Sequence, residues 1–248
     1  ILPARYLRKD ANGDLIEDPE DLRGKTVGVP EYQMTAPLWI RGILRTEYGV
    51  APEDMTWYRG GEEEEGREEK LDVDLGPDLS ISSIPADETL SAMLKRGAID
   101  ALFTARTPSS FSTSSVERLF TDYRSVERDY YKRTGHFPIM HTVVLRKDVY
   151  RENPWIAQEL TKALTEAKDI CMERIRRTSA LSTTLPWVHD ELDETQALMG
   201  DNFWPYGVEA NRDTIETMIE FSYQQGLIDT EFDAADLFAE ETLEVYRV

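Results

Sequence analysis

A short apolar run that leads through a polar loop into a helix, between Lys25 and Gly42, constrains the fold of this chain more than any other segment. Residues 26–29 are bounded by a glycine and a proline and have the length of a buried strand. The loop 31–35 follows, and a helix with a proline in its first turn is predicted over 36–48. Such a loop makes an anion site, because free backbone N–H groups and the helix dipole point at one spot. The same unit also occurs without a ligand, so both interpretations stay open.

Strands and helices alternate along the first half of the chain. The apolar pattern predicts a helix at 88–96 and further strands at 55–58, 79–84 and 99–104. This alternation is typical of α/β proteins, in which a mostly parallel sheet is covered by helices on both faces. Ligands gather at the carboxyl ends of such strands, so we expect Tyr32 and Arg106 at the same edge of the sheet.

The second half of the chain is mainly helical. A strand is predicted at 142–146, and helices are predicted from Asn153 to about Arg177 and at about 188–199, 211–225 and 233–240. Few strands are available there to complete a sheet, so we expect an exposed apolar face or a neighbouring chain that covers it. The single cysteine, Cys171, lies on the apolar side of the long helix and is predicted to be a core residue rather than a nucleophile.

The formal charge of −20, from 48 acidic and 28 basic residues, excludes two classes of partner. It repels nucleic acid and anionic membranes, and no apolar run is long enough for membrane insertion. It also repels a carboxylate ligand at long range, so an anion site must be built locally from arginines and helix N-termini. The acidic run 62–69 is expected to be a solvated loop.

Four segments together carry a resemblance to a known family. They are LRGKTVGVPEYQMTA at 22–36, GAIDALFTARTPSSF at 97–111, RTGHFPIMHTVV at 133–144 and ALMGDNFWPYGVEANR at 197–212. In this order they resemble 4,5-dihydroxyphthalate decarboxylase, and the likeness spans nearly the whole chain after about residue 20. The pieces EYQMTA, HFPIMHT and FWPYGVEANR are the most specific.

The resemblance implies a fold, because this family shares its architecture with the solute-binding proteins of bacterial transporters. We therefore expect an α/β, type II periplasmic-binding-protein-like fold with two lobes and a hinge. Residues 1–20 would be a crossover strand and loop, 21–137 a complete α/β lobe, and 138–248 the helix-rich C-terminal part of the other lobe. A strand like the opening one lies well inside that fold, so the first lobe is expected to be incomplete or diverged at the N-terminus.

The resemblance also implies a reaction, the non-oxidative decarboxylation of a dihydroxylated aromatic dicarboxylate to a product of the 3,4-dihydroxybenzoate type. In 4,5-dihydroxyphthalate each hydroxyl is para to one carboxylate. Ionising that hydroxyl moves electron density onto the carbon that must be protonated before CO₂ leaves. The site then needs a base or acceptor for the phenol, an acid for the carbon and cations for the carboxylates.

Three residues are candidates for the catalytic groups. His141 precedes the predicted strand 142–146, which is expected to cross between the lobes, and an imidazole titrates near neutral pH. Glu31 follows the first buried strand and is either a base or a solvated carboxylate. Tyr32, in the same loop, is a hydrogen-bonding partner for a carboxylate or a hydroxyl.

The binding candidates begin with two arginines. Arg106 follows the strand 99–104 and suits a bidentate carboxylate contact, although a surface arginine paired with an acid is an equal interpretation. Arg41 lies among apolar helix neighbours and is either a site cation or a residue that extends its charge to the surface, which is slightly favoured. Gln33 and Thr35 lie at the helix N-terminus, where Thr35 is also a plain N-cap candidate. Ser109 belongs to a polar stretch that is either a ligand loop or a linker.

His136, Trp204 and Tyr206 complete the binding candidates. His136 lies five residues before His141, which would place the two imidazoles on opposite faces of one strand, so a two-histidine metal site is disfavoured. The rings of Trp204 and Tyr206 would either stack on an aromatic ligand or pack within their own turn.

The chain contains no glycine-rich phosphate loop, CxxC pair, nucleophile elbow or HExxH motif. We therefore expect no cofactor and no metal, and a small aromatic carboxylate as the partner, with homo-oligomerisation left open. The alternative function is a non-enzymatic solute-binding protein that captures a small carboxylate by closing its hinge. The expected location is cytoplasmic, or periplasmic or extracellular if a signal peptide lies upstream.

Overall fold

The computed structural model describes residues 5–8, 16, 18–70, 75–76, 79–113 and 115–243. The chain divides into two compact units. The first contains residues 1–131 and 218–231, and the second contains residues 132–217 and 232–248. The candidate residues are therefore divided between the two units.

The first unit is built on a six-stranded sheet with the order β4-β3-β2-β5-β1-β6. The strands are β1 (Arg5–Arg8), β2 (Thr26–Val29), β3 (Thr56–Arg59), β4 (Ile81–Ser83), β5 (Ala101–Phe103) and β6 (Val116–Arg118). Strands β4, β3, β2 and β5 run parallel to their neighbours, whereas β1 pairs antiparallel with both β5 and β6. The prediction of an α/β fold with a largely parallel sheet is confirmed.

Helices cover both faces of this sheet. Helix α1 (Thr35–Tyr48) packs on one face with Ile40 and Leu44 in a cluster that also contains Val27 and Trp57. Helix α2 (Leu90–Arg96) packs on the other face in a second apolar cluster. A Cβ atom on Gly28 would lie 2.7 Å from Ile99 and 2.9 Å from Leu90, so the glycine lets these side chains sit directly on β2. The predicted arrangement of layers is therefore present in the first unit.

A segment far along the chain also belongs to the first unit. Helix α7 (Arg212–Gln224) begins among residues of the second unit and ends among those of the first. Phe221 on its last turns meets Trp39 edge-on, with the ring centroids 5.5 Å apart. A Cβ atom on Gly42 would lie 2.0 Å from the Phe221 ring, so only glycine allows this close packing on α1.

The described part of the second unit is helical, and no strand lies within it. Helix α3 (Tyr123–Thr134) leads into it, and α4 (Lys147–Glu152), α5 (Trp155–Arg176) and α6 (Val188–Met199) follow. The predicted strand 142–146 is wrong, because this segment is irregular and Val144 is 84% exposed. A β-branched run forms a strand only where another strand can pair with it, and this unit provides none among its described residues. The helix predicted at 233–240 is replaced by two short 3-10 turns.

Apolar side chains are exposed along α5 of the second unit, where Ala157 is the one residue classed as buried. The exposed set includes Trp155, Leu160, Leu164 and Ile170. Cys171 is exposed too, so its prediction as a core residue is wrong. The apolar side of this helix, which the sequence pattern assigned to a core, faces outward in the structure, as expected for a chain with few strands in its second half.

None of the helices in the described ranges combines the length and the apolar character that crossing a bilayer requires.

Candidate functional site

The carboxyl ends of the four parallel strands define one edge of the sheet in the first unit. Glu31 and Tyr32 follow β2, and Thr104 and Arg106 follow β5, which is parallel to β2. The structure therefore brings the loop 31–35 and Arg106 to the same edge of the sheet, as the alternation of strands and helices predicts.

The acidic run folds over this edge instead of extending into solvent. We call residues 61–70 the acidic loop. The Glu69 side chain, only 8% exposed, accepts hydrogen bonds from Arg59 Nη1 at 2.5 Å and from the backbone N–H of Gln33 at 3.3 Å. Glu62 is also buried. The prediction of a solvated loop is wrong for these two carboxylates, because hydrogen-bond donors at the strand edge hold them in place.

A pocket of about 440 Å³ lies beside the acidic loop. Arg59, Arg67, Glu69 and Ser83 are among the residues that line it. Arg59 is paired with Glu69, and Arg67 is paired with Glu31. An anion entering this pocket would have to compete with both internal carboxylates for the guanidinium groups.

Glu31 is buried and ionised. Burial raises the pKa of its carboxyl, but the hydrogen bond and charge of Arg67, together with Lys70, outweigh burial and lower the pKa overall. The carboxylate form is the one that can accept a hydrogen bond or a proton, and Arg67 already engages it.

Tyr32 and Arg41 belong to the core of the first unit. Tyr32 is buried, and its ring meets Trp57 edge-on at a centroid distance of 5.4 Å. Arg41 is fully buried and donates from Nη2 to the Tyr32 carbonyl at 2.8 Å and from Nε to Gln225 Oε1 at 2.7 Å. The slightly favoured interpretation of Arg41 as a surface-reaching residue is therefore wrong. Its guanidinium instead ties the loop 31–35 to α1 and to the segment after α7.

Burial controls the titration of both side chains. It lowers the pKa of Arg41 to about 10, which leaves the guanidinium charged at neutral pH. It raises the pKa of Tyr32, in spite of the nearby charge of Arg41, so the phenol stays protonated. Arg41 Nη1 has no hydrogen-bond partner among the described residues.

Gln33 and Thr35 lie where the loop enters α1, and both are half-buried. The Gln33 N–H points at Glu69, so a backbone donor of this helix entrance is already occupied by an internal carboxylate. Thr35 is the first helical residue and Met34 is the N-cap, so the plain-cap interpretation of Thr35 does not hold.

Thr104 joins two strand ends through its hydroxyl. Its Oγ1 donates to Glu62 Oε2 at 2.5 Å and accepts from the Arg106 N–H at 3.2 Å. The Arg106 side chain is exposed, as is Ser109, whose N–H and hydroxyl both donate to Glu63 at 2.7 and 2.8 Å. Within the described residues 108–113, Ser109 therefore lies in an ordered turn at the sheet edge rather than in a linker.

In the second unit the two candidate histidines have different surroundings. Both ring nitrogens of His136 lie 3.2 Å from threonine hydroxyls, Nδ1 from Thr214 and Nε2 from Thr217. Burial lowers the pKa of His136 in spite of the nearby charge of Asp213, so the neutral ring is favoured. His141 is exposed in the irregular segment and is open to solvent. His136 is thus held in place by two hydroxyls, whereas the His141 side chain is exposed.

Trp204 and Tyr206 lie on a turn of the second unit, and other residues of that unit hold the turn in place. Lys168 Nζ donates to the Trp204 carbonyl at 3.2 Å and lies 5.1 Å from the Tyr206 ring centroid. Phe137 meets Trp204 edge-on at 5.1 Å, yet both turn rings remain more than 40% exposed. The backbone of the turn is fixed by contacts within the unit, and part of each ring surface remains exposed.

Several residues at the carboxyl edge of the sheet are not identified by the sequence pattern. Arg59 and Thr104 lie at the ends of predicted strands, and that position, which singled out Glu31 and Arg106, could have found them. Glu62 and Arg67 were hidden in the charge run. Gln225 contacts Arg41 across 184 positions of sequence, and no local pattern points to it.

Comparison with known proteins finds two curated relatives. The 4,5-dihydroxyphthalate decarboxylase of Comamonas testosteroni is 37% identical over 245 residues, which is 98% of this chain and 73% of the relative. The 4,5-dihydroxyphthalate decarboxylase of Pseudomonas putida is 42% identical over 133 residues, which is 53% of this chain and 50% of the relative. No family model matches the chain.

Proposed function

Because this chain belongs to the 4,5-dihydroxyphthalate decarboxylase family, we propose that it is a carboxy-lyase that releases one carboxylate of 4,5-dihydroxyphthalate as CO₂. The product retains the other carboxylate and both hydroxyls, as 3,4-dihydroxybenzoate does. The observation that carries this proposal is the 37% identity across 98% of the chain, which includes the candidate residues of both units. The alternative of a non-enzymatic solute-binding protein is not favoured, because both curated relatives are named as decarboxylases.

We further propose the two-lobed, periplasmic-binding-protein-like fold, with residues 21–137 as one lobe and 138–248 as part of the other. Two features support it. The chain divides into compact units near residue 131, close to the expected lobe boundary. Strand β1 runs antiparallel between β5 and β6, which suits a crossover strand within 1–20.

The chain's own residues supply the charges that the reaction needs. Arg106 is proposed to hold a substrate carboxylate, because it is an exposed cation after a parallel strand in a chain whose net charge of −20 repels that substrate. Ser109, in the ordered loop nearby, and Gln33 and Thr35, at the entrance of α1, are proposed as hydrogen-bonding partners of the substrate. Arg41 and Tyr32 are proposed to act indirectly, by holding the loop 31–35 in place.

Two side chains are proposed to take part in proton transfer. Glu31, ionised beside Arg67, is proposed as the acceptor for a substrate hydroxyl. His141, exposed in the second unit, is proposed as the phenol partner or a proton donor. Trp204 and Tyr206 are proposed to stack on an aromatic ring, and His136 to position nearby groups of the second unit.

The direct test is to incubate the purified protein with 4,5-dihydroxyphthalate and to measure CO₂ and the aromatic product. We expect equal amounts of both. Phthalate is the matched control, because it has the same carboxylates without the hydroxyls that supply electron density, and it should release none. Binding of 4,5-dihydroxyphthalate without CO₂ release would reject the enzyme in favour of the solute-binding alternative.

A further inference from the structure

Glu62 is a buried carboxyl at the same edge of the sheet, and the proposed function gives it no role. It lies three residues after the end of β3 and is 7% exposed. Its Oε2 accepts a hydrogen bond from Thr104, which follows β5 and in turn accepts from the Arg106 N–H. A single hydroxyl therefore connects this carboxyl to the backbone of the arginine proposed to hold the substrate.

The hydrogen-bonding partner of Glu62 sets it apart from Glu31 and Glu69, the other carboxylates of the edge whose side chains are buried. Glu31 is paired with Arg67, and Glu69 is paired with Arg59. Glu62 bonds to a neutral hydroxyl, and no ion pair within the described part of the chain includes it. A carboxyl in such surroundings can keep its proton, because no directly paired cation offsets the loss of hydration that burial imposes on the ionised form.

The charged groups that face Glu62 have opposing effects. Burial raises the pKa of its carboxyl, and the negative charge of Glu63 raises it further. The Thr104 hydrogen bond and the charges of Arg106 and Arg67 lower it, but they do not outweigh burial. The protonated form is therefore favoured to a higher pH than for an exposed glutamate.

We propose that Glu62 is the acid that delivers a proton to the ring carbon during decarboxylation, an inference that rests on the proposed function. The Glu62 O–H bond breaks, and a pair of ring π electrons forms the new C–H bond. The bond from that carbon to the carboxylate then breaks, its electron pair restores the aromatic ring, and CO₂ leaves. The Glu62 carboxylate regains a proton from water, so each CO₂ released consumes one proton.

Thr104 is a positioning residue in this scheme, because its hydroxyl fixes one oxygen of Glu62. Among the described residues, Oε1 of Glu62 has no hydrogen-bonding partner, and we assign the transferred proton to this oxygen.

The test compares Glu62→Gln with Glu65→Gln, an exposed glutamate of the same loop, by measuring kcat and KM with 4,5-dihydroxyphthalate across pH. Loss of a general acid should lower kcat by about 10²- to 10⁴-fold with little change in KM, and the control should stay close to the unmodified enzyme. In the unmodified enzyme kcat should fall as pH rises through the pKa of Glu62, and this fall should be absent from Glu62→Gln.

Chemical rescue separates an acid from a structural residue. Added formate or acetate should restore turnover to Glu62→Ala in proportion to the protonated fraction of the added acid. The same acids should leave the turnover of Glu65→Ala unchanged. If Glu62→Gln does not fold, Glu62→Asp keeps an acid and should retain the fall of kcat at high pH.

The possible outcomes separate a failure of the Glu62 role from a failure of the proposed function. CO₂ release by the unmodified enzyme with near-normal kcat in Glu62→Gln, or an Asp variant without the pH-dependent fall, would overturn the role of Glu62 alone. No CO₂ release by the unmodified enzyme at any pH would overturn this inference together with the proposed function.

Discussion

The Arg41 guanidinium lies 3.7 Å from the centroid of the Tyr32 ring and also binds the carbonyl oxygen of the same residue. The loop that follows β2 is therefore held from inside the core, by a cation that has no access to solvent. This contact links the stability of the first unit to the position of Glu31 and Gln33 at the strand edge.

Replacement of Arg41 by methionine should destabilise the fold. It leaves the buried Tyr32 carbonyl and Gln225 Oε1 without their donor, and unsatisfied groups of this kind cost about 1–3 kcal/mol each. We expect the free energy of unfolding, measured by urea titration, to fall by about 2–4 kcal/mol. Arg45→Met, at a partly exposed residue one turn further along the same helix, is the control and should cost less than about 1 kcal/mol. Equal losses would mean that the buried contacts contribute nothing specific.

The Glu31–Arg67 pair should make stability depend on acid pH. The folded-state pKa of Glu31 lies below its ordinary value of 4.5, so the pair stabilises the fold fully above that pH. This contribution should be lost as pH falls from about 4.5 through the folded-state pKa. Urea midpoints measured from neutral pH downward should decline more steeply for the unmodified protein than for Glu31→Gln. Parallel curves would show that Glu31 does not contribute to the pH dependence.

Arg106→Lys should mainly weaken substrate binding. Lysine keeps the charge but loses the planar fork that grips a carboxylate at two points. We expect KM for 4,5-dihydroxyphthalate to rise by roughly tenfold, with a smaller effect on kcat. Arg96→Lys, on the exposed end of α2, provides a control for the same chemical change. An unchanged KM in Arg106→Lys would remove Arg106 from the binding site.

His141→Gln should lower turnover far more than affinity. If the imidazole exchanges a proton with the substrate, kcat should fall by roughly 10²-fold or more, whereas KM should change little. His189→Gln tests whether any histidine loss has this effect. Near-normal turnover in His141→Gln would exclude His141 from the mechanism and leave Glu31 as the next candidate on the phenol side.

The sequence predicts the elements whose pattern is local. The strand at 26–29, the helix after it and the helix near 88–96 follow from apolar spacing and from glycines at helix ends, and the structure contains all three. The parallel order of strands then brings Tyr32 and Arg106 to one edge. These features depend only on neighbours in sequence and on general rules of sheet topology.

Distant partners explain what the sequence could not predict. The sequence leaves Arg41 open as a site cation and slightly favours a surface-reaching residue, because its acceptor Gln225 lies 184 residues away and gives no local signal. Glu62 was hidden among acids that are mostly solvated, and its burial depends on Thr104, 42 positions further along the chain. The segment 142–146 has the composition of a strand, but composition does not reveal whether a partner strand exists nearby.

NMR of the product that the purified protein forms from 4,5-dihydroxyphthalate in D₂O distinguishes decarboxylation from simple binding. Decarboxylation through ring protonation predicts a dihydroxybenzoate with one carbon-bound deuteron, at the ring carbon that lost its carboxylate, in an amount equal to the CO₂ released. Substrate that binds and is recovered without loss of a carboxylate would contradict it and identify the chain as a carboxylate-binding protein.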